Sequence, residues 1–63
     1  MEVNSKKLYL AMAKAGLNQS GLAAKADVSN RTIAAILNGR KCRADVLGRL
    51  SKALEVEPQD LVE

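Results

Sequence analysis

Polar residues that open helices and Gly or Asn residues that close them recur so often along this chain that no helix can run longer than about three turns. Asn4 or Ser5 can cap a first helix by accepting a hydrogen bond from an orphan backbone N–H. Leu8, Ala11, Met12 and Ala15 then form one helical stripe, and Gly16 stops it. Asn18 caps a second helix, Gln19 to Lys25, with Leu22, Ala23 and Ala26 on its apolar face; a turn follows at Ala26-Asp27-Val28. Ser29 caps a third helix, Asn30 to about Leu37, whose apolar face is Ile33, Ile36 and Leu37, and Asn38-Gly39 ends it. Arg40-Lys41-Cys42-Arg43 reads as a basic loop. The fourth helix spans about Ala44 to Leu54, with Val46, Leu47, Leu50, Ala53 and Leu54 inward. Glu57 and Pro58 open a short fifth, docked by Leu61 and Val62, because proline's missing N–H costs nothing at a first helical position.

No period-two alternation competes with this pattern. The expectation is an all-α, compact five-helix domain without strands, a single unit over residues 1–63. Its core should join Leu8, Met12, Leu22, Ala23, Val28, Ile33, Ile36, Leu47 and Leu50. A chain of 63 residues buries only about 60% of its unfolded surface. Its single cysteine, Cys42, excludes an intrachain disulfide, and the lack of histidine leaves no zinc-binding cluster. Hydrophobic residues make up 48% of the chain but aromatics only 2%, so the core must be aliphatic and thin. Gly21 and Gly48 fall inside helices, where each costs about 1 kcal/mol relative to Ala, and nothing in the sequence compensates for either.

Charge is unevenly spread. Residues 1–43 carry eight Lys/Arg against Glu2 and Asp27, net +6, while residues 44–63 carry Arg49 and Lys52 against five acids, net −3. A basic part favours a polyanion, with the acidic part facing away. No apolar run reaches the ~20 residues of a membrane span. With a lone cysteine and no targeting pattern at the start, the expected location is a reducing cytoplasm. The absence of His, of a glycine-rich phosphate loop and of an acid pair argues against an enzyme. No catalytic residue, metal, cofactor or small-molecule substrate is evident.

The segment QSGLAAKADVSNRTIAAILN, from Gln19 to Asn38, is two short helices joined by a tight turn, with Ala23 small enough for close approach. With the lead-in Gly16-Leu17-Asn18-Gln19, the Leu22-Ala23 pair, the Ile33-x-x-Ile36 spacing, the Asn38-Gly39 stop and the ending Ser51-Lys52-Ala53-Leu54, it resembles the helix-turn-helix family of the lambdoid phage repressors and Cro proteins. The resemblance covers nearly the whole chain. It departs from the family at Asp27, where glycine is usual in the turn, and at Gly21, where a helix former such as Glu is usual. Asp tolerates the left-handed region at small cost.

At about 100° per residue, the third helix turns Arg31, Ala35 and Asn38 away from Ile33, Ile36 and Leu37, with Thr32 and Ala34 on the flanks and Asn30 at its start. The resemblance implies that this helix enters the major groove, its first turn at the base edges. Asn30 can then pair with adenine and Arg31 with guanine, and Ala34 or Ala35 can touch a thymine methyl; Thr32 belongs to the same reading set. Arg31 can alternatively swing to a phosphate. The start of the second helix, Asn18 and Gln19, is a natural phosphate site, and the resemblance extends the Gln19 side chain to bases. Asn38, Arg40, Lys41 and Arg43 are expected to grip the backbone.

The implied function is that of a phage- or prophage-type transcriptional regulator, a repressor binding double-stranded DNA as a homodimer. The family places the dimer contacts around the fourth and fifth helices and Glu55 to Pro58. The competing reading is a protein-interaction module, such as an antitoxin-like partner on the same fold. Cys42 reads as a tolerated loop residue; if exposed among basic neighbours, its thiol pKa would be lowered.

Overall fold

The computed structural model describes residues 2–62. Its α-helices among those residues are α1 Ser5–Ala15, α2 Gln19–Ala26, α3 Asn30–Leu37 and α4 Ala44–Leu54, followed by a 3-10 turn at Pro58–Asp60. Side-chain caps set the first three starts. Asn4 accepts from Lys7 N–H, Asn18 from Gly21 N–H and Ser29 from Thr32 N–H. At the start of α4 the N-cap position, Arg43, makes no side-chain cap; Asp45 instead places a carboxylate in the first turn, where the helix dipole favours it. Three of the helices close on a left-handed residue: Gly16 after α1, Asp27 after α2 and Glu55 after α4.

These elements enclose one core. Leu8, Leu22, Ile33, Leu50 and Leu61 are fully buried in it, and Met12, Ala23, Ile36 and Leu47 are buried beside them. α2 packs most extensively against α4 and then against α3, and α3 rests on α2 and, less extensively, on α1. Ser5 Oγ donates to the Leu37 carbonyl at 2.9 Å, tying the start of α1 to the end of α3.

The structure corrects several expectations. There are four α-helices among the described residues, not five: Pro58–Asp60 is too short to close i→i+4 bonds, and the chain turns inward at once to bury Leu61. Among the described residues no strand forms, but Val3 and Val62 meet in an isolated antiparallel bridge, and Asn4 N–H donates to the Leu61 carbonyl at 2.8 Å. The α1 stripe stops at Met12, because the last turn, with Ala15, runs past the core into solvent. Val28 is only partly buried, sitting at the rim where the chain turns. Cys42 is not an exposed loop residue but part of the core, 3% exposed.

Gly21 has the reason that the sequence did not reveal. A Cβ there would meet Asn18 Oδ1 at 3.2 Å and Leu17 Cδ2 at 3.3 Å, against the same cap oxygen that accepts the Gly21 N–H at 2.7 Å. Gly48 has open space around the equivalent point, and nothing in the structure explains it.

Candidate nucleic-acid interface

α3 is an amphipathic helix with its inner face fixed. Ile33 and Ile36 are sealed in the core, which turns Asn30, Arg31 and Asn38 to solvent and leaves Thr32, Ala34 and Ala35 half-buried. The Arg31 side chain makes no hydrogen bond or ion pair with the described residues, so its guanidinium fork is available for a planar partner. Thr32 is less available: its hydroxyl shares a 2.9 Å hydrogen bond with Ser29 Oγ, which also caps the helix.

α2 brings its N-terminus to the same place. Gln19 Nε2 donates to the Asn30 carbonyl at 3.3 Å, so the first residues of α2 and α3 are side by side. Gln19 is half-buried and braces the start of α3, while Asn18 is exposed with its Oδ1 engaged by the Gly21 N–H. The amide N–H groups of this helix start carry a positive dipole end, suited to an anion.

Beyond α3, the chain from Asn38 to Arg43 doubles back alongside it. Arg40, Lys41 and Arg43 are exposed. A cleft of about 190 Å³ lies between Thr32 and Ala35 of α3, the Arg40–Arg43 segment and Val46 of α4. The expected base-reading residues Thr32 and Ala35 and the expected backbone residues Arg40, Lys41 and Arg43 therefore line one depression; Asn18 and Asn38 do not. The Arg43 guanidinium is already engaged: Nε and Nη2 donate to the two Asp45 oxygens at 3.1 and 3.0 Å. Both side chains are exposed, a setting in which such a pair is worth about 0–1 kcal/mol, so a phosphate can compete for the arginine.

Cys42 alternates with these outward cations and points inward. Burial pushes its thiol above the ordinary range, the nearby Asp45 carboxylate adding to the effect, which is the reverse of the lowering expected for an exposed site. Its Sγ donates to the Arg43 carbonyl at 3.3 Å. The hint in the sequence was that an unpaired cysteine is among the residue types most often buried.

Arg49 carries a role that the sequence reading missed. Its Nη1 donates to the Asp27 carbonyl at 3.1 Å, fastening α4 to the turn between α2 and α3. The contact spans 22 positions, and no local spacing announces it. The exposed acids Glu55, Glu57 and Asp60 follow α4, and Lys25 at the end of α2 reaches Glu55 at 3.8 Å.

Among the described residues, no group of three or more His, Cys, Asp or Glu side chains is placed to hold a metal ion, and no helix is long and apolar enough to cross a membrane. Searches of curated proteins and of solved structures give no match. A profile of the family described as helix-turn-helix matches residues 8–61, most of the chain and all four helices in whole or in part. With α2 and α3 joined at Asp27 and α3 exposing a polar face, the chain belongs to the helix-turn-helix family of DNA-binding transcription-regulator domains.

Proposed function

We propose that the domain is a sequence-specific repressor of the lambdoid phage type that binds an operator as a homodimer, with α3 in the major groove. The observation that carries this reading is the first turn of α3. Asn30 and Arg31 project there beside the start of α2, and Arg31 has no partner among the described residues. In this reading Asn30, Arg31, Ala34 and Ala35 meet base edges, with Gln19 and Thr32 at the margins of the same set. Asn18, Asn38, Arg40, Lys41 and Arg43 hold the backbone. The protein works in the cytoplasm, without cofactor, metal or catalysis.

Size supports the dimer. The domain measures 23 × 21 × 19 Å, whereas half-sites in this class of motif are spaced by about 34 Å, one turn of DNA. One copy therefore covers one half-site, and a two-fold operator needs a second. The end of α4, the 3-10 turn at Pro58–Asp60 and the Glu55 to Pro58 segment that joins them are the proposed contact.

A protein-interaction role finds less support at α3, which exposes Asn30, Arg31 and Asn38 rather than a large apolar patch. The exposed large hydrophobics, Tyr9 and Leu10, lie on α1 instead.

The test is selection of bound sequences from random duplex DNA, followed by analytical ultracentrifugation with the selected site. Recovery of a two-fold motif bound by two copies is the expected result. Binding without any sequence preference would reject the reading.

A further inference from the structure

We propose that Arg49 is a positioning residue for DNA reading: from α4 it fixes the turn between α2 and α3 and so the pose of α3. The inference rests on the proposed DNA-reading role of α3 and adds to it a residue that touches no DNA.

The geometry begins at Asp27. Its φ of 57° and ψ of 48° place it in the left-handed region, and its N–H bonds back to the Ala23 and Ala24 carbonyls to close α2. Asp enters this region at a small cost, which the hydrogen bonds around the turn offset. The Asp27 carbonyl faces outward at the negative end of α2, where a cation is favoured. Arg49 Nη1 fills that position at 3.1 Å. Beside it Arg49 lines a shallow groove with Lys25, Lys52 and the small residues Ala26 on α2 and Ala53 on α4.

The joint matters because Asp27 itself is exposed and the core does not seal it. Val28 is partly buried, its N–H bonded to the Ala23 carbonyl at 3.0 Å, and Ser29 immediately begins the cap of α3. The core residues Ile33 and Ile36 fix the middle of α3. The start, where Asn30 and Arg31 project, is fixed by this turn and by the Gln19 hydrogen bond to the Asn30 carbonyl. A pivot of α3 about its buried middle displaces its first turn most, and the first turn is the reading end.

The test compares wild type with Arg49→Met, which keeps the length of the side chain but removes the donor and the charge. Arg49 is exposed, so the variant is expected to fold. Two measurements are made. The first is affinity for the selected operator, for its single-base variants and for unrelated duplex DNA. Discrimination between the operator and its variants is expected to fall by about threefold to tenfold, the range set by one ordinary hydrogen bond, while affinity for unrelated DNA stays within about twofold. The second is hydrogen exchange without DNA. The Val28 amide is expected to exchange about threefold to tenfold faster on the same scale, with the Ile36 amide unchanged. Equal losses on every sequence, or unchanged discrimination, would overturn the proposal, as would an unchanged Val28 amide. If wild type itself shows no sequence preference, the DNA-reading role fails, and the exchange measurement still decides whether Arg49 holds the turn.

Discussion

The inward face of α3 carries Ile33 and Ile36, which solvent hardly reaches, whereas the outward face of the same eight-residue helix carries Asn30, Arg31, Ala34 and Ala35. The first face is held by packing against α2 and α1 within the shared core. The second has small or polar side chains, and Arg31 in particular makes no hydrogen bond or ion pair with the described residues. A short helix thus divides its work by direction, with folding on one side and recognition on the other. Because the domain is small, the inner side has little stability to spare.

That division can be broken first from the inside. Ile33→Ala removes a fully buried side chain and is expected to cost about 2–5 kcal/mol, enough to unfold much of a marginal domain. Arg31→Ala, two residues earlier, is expected to change stability by less than about 0.5 kcal/mol. Urea denaturation followed by circular dichroism measures both, and similar costs for the two variants would erase the distinction.

The two glycines sharpen the comparison between the reading helices and their support. Gly48→Ala fills open space in α4 and is expected to stabilise the fold by about 1 kcal/mol. Gly21→Ala gains the same propensity but presses on Asn18 Oδ1, the cap of α2, so its thermal midpoint is expected to rise less or to fall. Calorimetry on the pair decides it; a larger gain at Gly21 would mean that the cap yields freely.

The basic segment gives a smaller effect. Arg40→Ala is expected to weaken binding to all sequences alike and to lower the slope of log K against log salt by about one. Arg43→Ala is expected to lower it by less, because Asp45 already holds that guanidinium. Equal slopes for wild type and Arg40→Ala, read by fluorescence anisotropy, would remove Arg40 from the backbone contacts.

The smallest effect is at Cys42. Its folded pKa is raised by burial, so the neutral thiol is the form that the fold favours. The corresponding stability is full below the ordinary thiol pKa of about 8.5 and declines as pH rises from there through the raised value. Alkylation of the native protein at neutral pH is expected to be much slower than that of the unfolded chain. Equal rates would place Cys42 at the surface.

The sequence made the helices legible because caps and stops are local. Asn18, Ser29 and Gly16 act within three or four residues of themselves, and the starts and ends they imply match the structure closely. The same locality explains the failures. Glu55 adopts the same left-handed geometry as Asp27, φ 57°, but a glutamate gives no sign of it. Pro58 signals a helix start without saying that Leu61 must turn into the core three residues later. Cys42 looked like part of a charged loop because its burial depends on how that loop folds back over α3 and α4. At the site, the outward residues of α3 followed from its period. The Gln19–Asn30 and Arg49–Asp27 contacts depend on how separate helices meet, and no spacing carries them.

If the outward first turn of α3 reads bases, Arg31 is the residue whose loss shows it. The measurement is the affinity of wild type and Arg31→Ala for the selected operator and for each of its single-base variants. A bidentate arginine–guanine pair discriminates by about 1–3 kcal/mol. Arg31→Ala is expected to lose that preference at one base pair in each half-site and to keep it elsewhere. A uniform loss of affinity across every variant would show that Arg31 grips a phosphate and would contradict its assignment as a reading residue.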